Sequence, residues 1–497
     1  MLTRRQTIAR LGATGAALAL PRAPEASEAP DYALPDWTGD SAVPMHAIRD
    51  GAWDRPLPAP ERRVEIAIVG GGLAGLSAAA LLSERDLLLF ERERETGGVA
   101  RGGRWRDVDY ALGSAYFVDL TEPYGAFYDM LGVAPRPVPE PVDRLLDPGG
   151  SDRLRGELRK PHAEFLNLIA KLVASGDFPD LPIEAAPAAA LALDRMTLAD
   201  FLRREHVDPR LLDFIDVYCL SAMGAPAAEV SAYAGLNFLS EFAGKIHALP
   251  GGNAALARAM LARIDRAGAG RIVSNAAVFA IEPSEGGEAR VGWFDATNPG
   301  EAHCISARWV VVAAPYFFAA RILRGAGTAA VRMRSLRQGS FLVANCCFEG
   351  RTPAGPYDSW APGARAFTDA VDATAALPPE RRPKDHNVLT VYAPFRDPGL
   401  GRAQLLAGDR AALAAPIIAE LRALMPDAFS QARLAEVRLT RWGHHHLIAA
   451  PGTIEAMRTT PKRFGNVLLA HSDGQGMPAV ESAIMEAHRA VATIKAG

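Results

Sequence analysis

The 497-residue sequence has only four cysteines, Cys219, Cys304, Cys346 and Cys347. They form neither the paired spacings of a metal site nor a disulfide framework, and they read as buried thiols. Neither sign of charge is in excess. A formal net charge of −3 gives no basis for nucleic acid or a strongly anionic membrane as a partner. No apolar run reaches the roughly 20 residues that cross a bilayer, so no transmembrane segment is expected. Internal repeats and extended low-complexity segments are also missing. What remains is globular in character, with 49% hydrophobic and 22% charged residues. The chain is long enough for roughly two to four domain-sized units.

The chain is organised around Val64 to Glu91. Val64–Val69 is a short apolar run with β-branched residues, bounded by glycine, and reads as a buried strand. Gly70-Gly71-Gly72-Leu73-Ala74-Gly75 then fits G-x-G-x-x-G. Leu73 to about Ser83 reads as a helix, Leu87–Phe90 as a second strand, and Glu91 ends it, 21 residues after Gly70. Each part has a physical task. Gly70 permits a tight turn, Gly72 lets backbone N–H groups approach a pyrophosphate, and Gly75 lets the helix pack closely on the sheet. The helix N-terminus presents unpaired donors and a partial positive charge to phosphate. Glu91 is placed to accept hydrogen bonds from ribose hydroxyls. A glycine-rich turn in an ordinary βαβ unit would not bring all four parts into register, so this segment binds an adenine dinucleotide. A second glycine pair, Gly97-Gly98, follows Arg92, with Arg101 placed to neutralise phosphate charge.

Residues 1–29 are set aside as a targeting segment. Thr3-Arg4-Arg5-Gln6-Thr7-Ile8 opens with paired arginines, a mildly apolar stretch runs from Ile8 to Leu20, and Ser27 and Ala29 supply the two small-residue positions before a plausible cut. The segment resembles a twin-arginine signal, which exports proteins already folded, and implies a periplasmic or secreted protein. Cleavage after Ala29 removes four arginines and two glutamates, which makes the mature chain more acidic. Residues 30–62 form a proline-rich arm in which Trp37 and Trp53 are expected to pin an extended segment to the body. From Leu154 to about Phe242 the apolar spacing is mostly helical; strands are expected at 271–281, 307–314, 341–349 and 387–392, and a helix N-capped by Asp409 at 409–424. Val467–Ala470 reads as a strand. A polar loop, His471 to Pro478, and a helix over 479–495 complete the chain.

With these parts in order, the sequence resembles the flavin amine oxidase and phytoene desaturase clan of FAD-dependent oxidoreductases. The resemblance rests on IVGGGLAGL with Glu91, Gly97-Gly98 with Arg101, the DYALGSAYF stretch at 109–117, PGGN at 250–253, VVVAAP at 310–315 and the terminal NVLLAHSDGQGMPAVESAI block. It implies an α/β fold: a Rossmann-like FAD-binding domain of the glutathione-reductase type, from residues 63–150, 250–330 and 440–497, with an inserted mixed α+β substrate domain from 151–249 and 331–439. It also implies FAD as the cofactor. Gly70, Gly72, Leu73, Ala74 and Gly75 would serve the pyrophosphate turn, Glu91 the ribose, and Arg92, Gly98 and Arg101 the phosphate and ribityl side. Gly113, Ser114 and the Val278 backbone would add further contacts, with Ser472, Asp473, Pro478 and Ala479 in the terminal block. Two departures stand out. The clan's Ala-Gly-Glu or Ala-Gly-Asp is here Ala470-His471-Ser472-Asp473, which leaves the register of the acid open. The 339–345 segment also offers no lysine of the kind that many amine oxidases place near flavin N5.

The chemistry implied is oxidation of a small-molecule substrate, with an amine favoured and a polyamine among the candidates, and with oxygen or a periplasmic electron carrier as acceptor. Trp442 and His444, in Arg441-Trp442-Gly443-His444-His445-His446, are the candidate catalytic residues on the substrate side. On a strand only His444 and His446 could share a face, and no further ligands for a metal can be identified, so no metal is expected. Two alternatives stay open: a flavin-dependent desaturase or isomerase of an apolar substrate, and a non-catalytic flavin-binding partner protein.

Overall fold

In the computed structural model, residues 30–117, 120–148, 151–353 and 355–497 are described. The expected twin-arginine signal, residues 1–29, lies outside them. The fingerprint strand Arg62–Val69 is flanked in parallel by Leu87–Phe90 on one side and His303–Val312 on the other. Ile272–Val273 extends the parallel set beyond Leu87–Phe90, and Val467–Leu469 adds to the far side of His303–Val312. The first half of His303–Val312 also pairs antiparallel with Ala289–Asp295, which pairs with Ala276–Glu282. One long strand therefore joins the parallel sheet to a three-stranded meander. Helices Leu73–Leu81, Ala254–Ala267 and Val480–Ala496 bury one shared apolar face against the parallel strands.

A second, seven-stranded sheet runs Thr38–Gly39, Arg433–Trp442, Phe341–Glu349, His386–Pro394, Asp369–Asp372, Asp358–Trp360, Asp143–Leu145. Helices Arg159–Val173, Leu198–Arg204, Leu212–Met223 and Ala232–Leu239 make up the helical unit. The fold is thus mixed α/β with a Rossmann-like FAD-binding sheet. Two expected boundaries are corrected. Asp143–Leu145, assigned to the cofactor unit, pairs parallel with Asp358–Trp360 at the edge of the second sheet. Arg433–Trp442 crosses the expected boundary at 440 because its whole length pairs with Phe341–Glu349. The expected strand at 271–281 is broken, since Asn275 takes a left-handed conformation between its halves.

Arm residues 30–62 are stitched to both sheets. Thr38–Gly39 pairs parallel with Thr440–Arg441, and Ala33 exchanges hydrogen bonds with Ala435 and Val437. A short helix, Val43–Arg49, interrupts the expected extended run. Trp53 stacks on Phe294 with centroids 3.8 Å apart and planes 1° apart, and the Arg55 guanidinium covers the indole at 4.0 Å. Trp53 is therefore the arm's main apolar anchor. Trp53→Ala is expected to cost about 3 kcal/mol of stability, read by chemical denaturation, and to expose the 40–60 segment to limited proteolysis while Trp37→Ala does less.

Candidate active site

A single cavity of about 1190 Å³ runs from the glycine turn to the second sheet. Its phosphate-binding end is set by backbone contact. Gly70 has φ +104°, and a Cβ on it would lie 2.6 Å from the Ala313 carbonyl oxygen. A Cβ on Gly75 would lie 1.9 Å from the Gly70 oxygen, so Gly75 packs behind the turn and does not reach the cavity. Gly72 has open space where a Cβ would be, and it starts helix Leu73–Leu81 with no side-chain cap. The first N–H groups of that helix consequently point at the cavity without partners. Gly98 approaches from the other glycine pair: its Cβ would meet the Gly72 Cα at 3.1 Å. The buried Glu91 carboxylate accepts from the backbone N–H of Gly71 (2.8 Å) and of Glu93 (2.9 Å). Burial nevertheless pushes its pKa above the usual carboxylate range.

The two arginines differ. Arg92 is neutralised by Asp40 at 2.7 Å and approached by Glu93 at 3.4 Å. Arg101 donates to the carbonyls of Gly98 (3.2 Å) and Gly39 (2.9 Å), covers the Trp442 ring at 5.0 Å, and has no ion pair among the described residues. Of these two, Arg101 has the charge free to meet a phosphate. The cavity wall also includes Gly113, Ser114, Val278, Ser472, Pro478 and Ala479. Helix Val480–Ala496 begins there without a side-chain cap. Asp473, expected at the ribityl side, is not on the wall. His471 caps the short 3₁₀ turn Ser472–Gln475, which turns the Asp473 carboxylate inward to accept from Tyr316 N–H at 2.8 Å. His471 and Ser472 face the cavity in its place.

An aromatic section follows. Trp442 Nε1 donates to the Leu112 carbonyl (2.7 Å) and Tyr392 Oη to the Gly113 carbonyl (2.6 Å). Both rings are therefore fixed by the DYALGSAYF segment. The histidine run is a turn rather than a strand, because regular pairing ends at Trp442 and the Gly339 turn clamps the His445 and His446 backbone. All three histidines consequently line the cavity. His444 stacks on Phe317 at 4.7 Å and sits among Arg402, Arg92, His46 and Arg49, nearer the phosphate end than expected. Burial and those charges hold its pKa down to about 4. His445 stacks on Phe341 at 4.4 Å, and its Nδ1 contacts Nδ1 of His446. Burial lowers His445 to about 3 and His446 well below its ordinary value, so all three rings are neutral at pH 7.

Residues at the far end were not anticipated. Asp358, Trp360, Asp369, Val371 and Glu241 line it beside Tyr116. A carboxylate inside a short apolar strand, as in Asp358-Ser359-Trp360 or Asp369-Ala370-Val371, was the available signal, because strand alternation puts it on a buried face. Asp143 accepts from Trp360 Nε1 at 2.7 Å. Burial raises its pKa to about 6, and it pushes Asp358, Asp369 and Glu241 upward by burial and mutual repulsion.

The uncapped helix start, the open Gly72, the buried ribose-side acid and the unpaired Arg101 fit FAD and define a dinucleotide-binding flavoprotein. The model of the flavin-containing amine oxidoreductase family matches residues 73–495. The chain belongs to that family and is an FAD-dependent oxidoreductase. No curated protein sequence matches it significantly. Among solved structures, wild-type putrescine oxidase bound to putrescine superposes with TM-score 0.68 and 17% identity over 88% of this chain and 99% of that one. Cyclohexylamine oxidase from Brevibacterium oxydans IH-35A gives 0.64 and 17% over 87% and 98%. A putative protoporphyrinogen oxidase from Exiguobacterium gives 0.61 and 17% over 89% and 100%. At such identities these likenesses concern the fold.

Two outcomes are expected. Arg101→Ala weakens FAD binding at least about tenfold and Arg92→Ala less than about threefold, read by titrating apoprotein with FAD. For stability, the sign follows from linkage. Asp143 binds its proton more tightly in the folded state, so its contribution falls as pH rises from 3.8 to about 6. The depressed histidines act oppositely below pH 6.5, so only a difference isolates the acid. The stability of the wild type relative to Asp143→Asn should decline across that window by on the order of 1 kcal/mol, measured by denaturation at several pH values.

Proposed function

We propose that this protein oxidises an amine in the aromatic section of the cavity and is exported already folded. The observation that carries the first part is the continuity of the cofactor groove with an aromatic section whose only imidazoles are neutral. Held by the glycine turn, Glu91 and Arg101, FAD would supply the acceptor for a hydride equivalent from the carbon beside the amine nitrogen, and water would hydrolyse the imine left behind. The protein's own residues position and exclude. Trp442, Tyr392 and Phe341 form walls that favour an amine over water. With Nε1 of Trp442 and Oη of Tyr392 committed to backbone carbonyls, neither group is free to move a proton. His445 and His446, held neutral, place no positive charge where an ammonium must approach. The carboxyl groups on the far wall oppose the alternative of an apolar substrate.

Export is supported by Thr3-Arg4-Arg5 and by the arm that follows it. Asp40 of that arm bonds Arg92 and accepts from Gly443 N–H on the cavity wall, so the arm that follows the signal is packed against the folded body. Oxygen or a periplasmic carrier serves as acceptor; among the described residues no lysine lines the cavity.

Anaerobic mixing with a panel of amines should bleach the flavin absorbance with at least one, and admission of air then separates oxidase from dehydrogenase. Absence of bleaching by every amine, with the flavin still reducible by dithionite, would overturn the reading. The pH profile of kcat/KM should show the substrate amine's limb and no histidine limb between about pH 5 and 8. Replacing Arg4 and Arg5 by lysine should keep the flavoprotein in the cytoplasmic fraction.

A further inference from the structure

The far end of the cavity gathers four acids from three adjacent strands and one helical turn. Asp143 is the cross-strand partner of Asp358, and Asp369 that of Trp360. Glu241 comes from the 3₁₀ turn Ser240–Ala243. Asp358, Asp369 and Glu241 all line the cavity and are 2%, 2% and 6% exposed. No ion pair among the described residues reaches any of the four. Some of their oxygens have neutral donors: Thr368 Oγ1 donates to Asp369 at 2.6 Å and Trp360 Nε1 to Asp143 at 2.7 Å. Oδ1 of Asp358 is buried at the cavity wall with no hydrogen-bond partner. Acids removed from water need a proton or a cation, and an oxygen left without a donor marks where the cation goes. The surrounding rings suit an ammonium: Trp360 and Tyr116 on the wall, with Tyr218 packed on Trp360 at 5.5 Å.

We propose that this end is a binding site for a second cationic group of the substrate: Asp358 and Asp369, with Glu241, take the distal ammonium of a linear diamine or longer polyamine while its other nitrogen lies between Trp442 and Tyr392. The inference rests on the amine reading and narrows it to substrates with two separated charges. It makes Asp358 and Asp369 specificity-determining residues, with no part in the oxidation step. Burial raises the proton affinity of Asp143, Asp358, Asp369 and Glu241, and the titratable groups that act on them are the tyrosines Tyr116, Tyr218, Tyr357 and Tyr392 and the further acids Glu140, Asp152 and Glu481. Arrival of an ammonium therefore releases protons.

The test is anaerobic calorimetric titration of the FAD-loaded enzyme with 1,4-diaminobutane and with butylamine, in buffers of different ionisation enthalpy. The diamine should bind at least tenfold more tightly and release protons, and butylamine should release fewer. Asp358→Asn and Asp369→Asn should each cut the preference below threefold while the flavin spectrum and FAD affinity stay as in the wild type. A series of wild-type titrations with three- to six-carbon diamines should show one optimum length, and this arm stands even where a variant fails to fold. Equal affinity for the monoamine and every diamine would overturn the proposal, as would an undiminished preference in both folded variants. A diamine that binds selectively without bleaching the flavin would uphold this site while removing the oxidation reading, so the two failures are distinguishable.

Discussion

The structure depends on one backbone contact. Gly75, in the first turn of helix Leu73–Leu81, lies so close to the Gly70 carbonyl that a Cβ would stand 1.9 Å from that oxygen, with the Ala313 side chain 3.2 Å away. Only because neither glycine carries a side chain can the helix begin directly above the ends of strands Arg62–Val69 and His303–Val312. That approach aims its unpaired N–H groups into the cavity rather than at solvent. It also fixes Ala313 and Ala314, and through them Pro315 and Tyr316, whose N–H is held by Asp473. The terminal helix Val480–Ala496 packs on the same helix face, so the second uncapped N-terminus inherits its direction from the first.

The arm and the second sheet extend this logic across the cavity. Strand Arg433–Trp442 carries the arm's Thr38–Gly39 at its edge and delivers Trp442 to the wall. Arg101 bridges the two, bonding the Gly39 carbonyl while lying over the Trp442 ring. Removing any one of these loosens a phosphate-facing guanidinium, an aromatic wall and an edge strand together. The arm precedes the region matched by the family, yet its Asp40 neutralises Arg92, while Arg101 keeps a charge with no ion pair among the described residues.

The cofactor half was legible in the sequence because its signals are backbone signals. Glycines at 70, 72, 75 and 98 and an acid at 91 act through close approach and hydrogen bonding within a few tens of residues, and the observed strands Arg62–Val69 and Leu87–Phe90 follow the apolar runs nearly residue for residue. Asp473 lies off the cavity wall because His471 caps a 3₁₀ turn and the acid turns inward to Tyr316 N–H, which spacing alone does not reveal. The histidines were misread for a similar reason: alternation holds on a strand, but the strand stops at Trp442. The carboxyl groups at the far end were invisible since they meet only through the register of Asp143–Leu145, Asp358–Trp360 and Asp369–Asp372, strands separated by more than 200 residues of chain at the extremes. Long-range pairing of short strands leaves no local periodicity to read.

The cavity is electrically graded along its length. One end has two helix N-termini and a free guanidinium, which suits an anionic pyrophosphate. The middle has aromatic rings and three imidazoles kept neutral by burial. The other end has acids whose proton affinity desolvation raises. Such acids are costly to keep inside a protein whose net charge does not require them, and apolar residues at those strand positions would pack with no penalty. Their cost falls when a cation arrives, so they favour charged over neutral ligands by the carboxylate–cation attraction less the cost of their ionisation. The neutral middle matters equally, since a protonated imidazole there would raise the barrier to that cation's passage. Both extremes therefore owe their selectivity to the same low-dielectric wall that separates them.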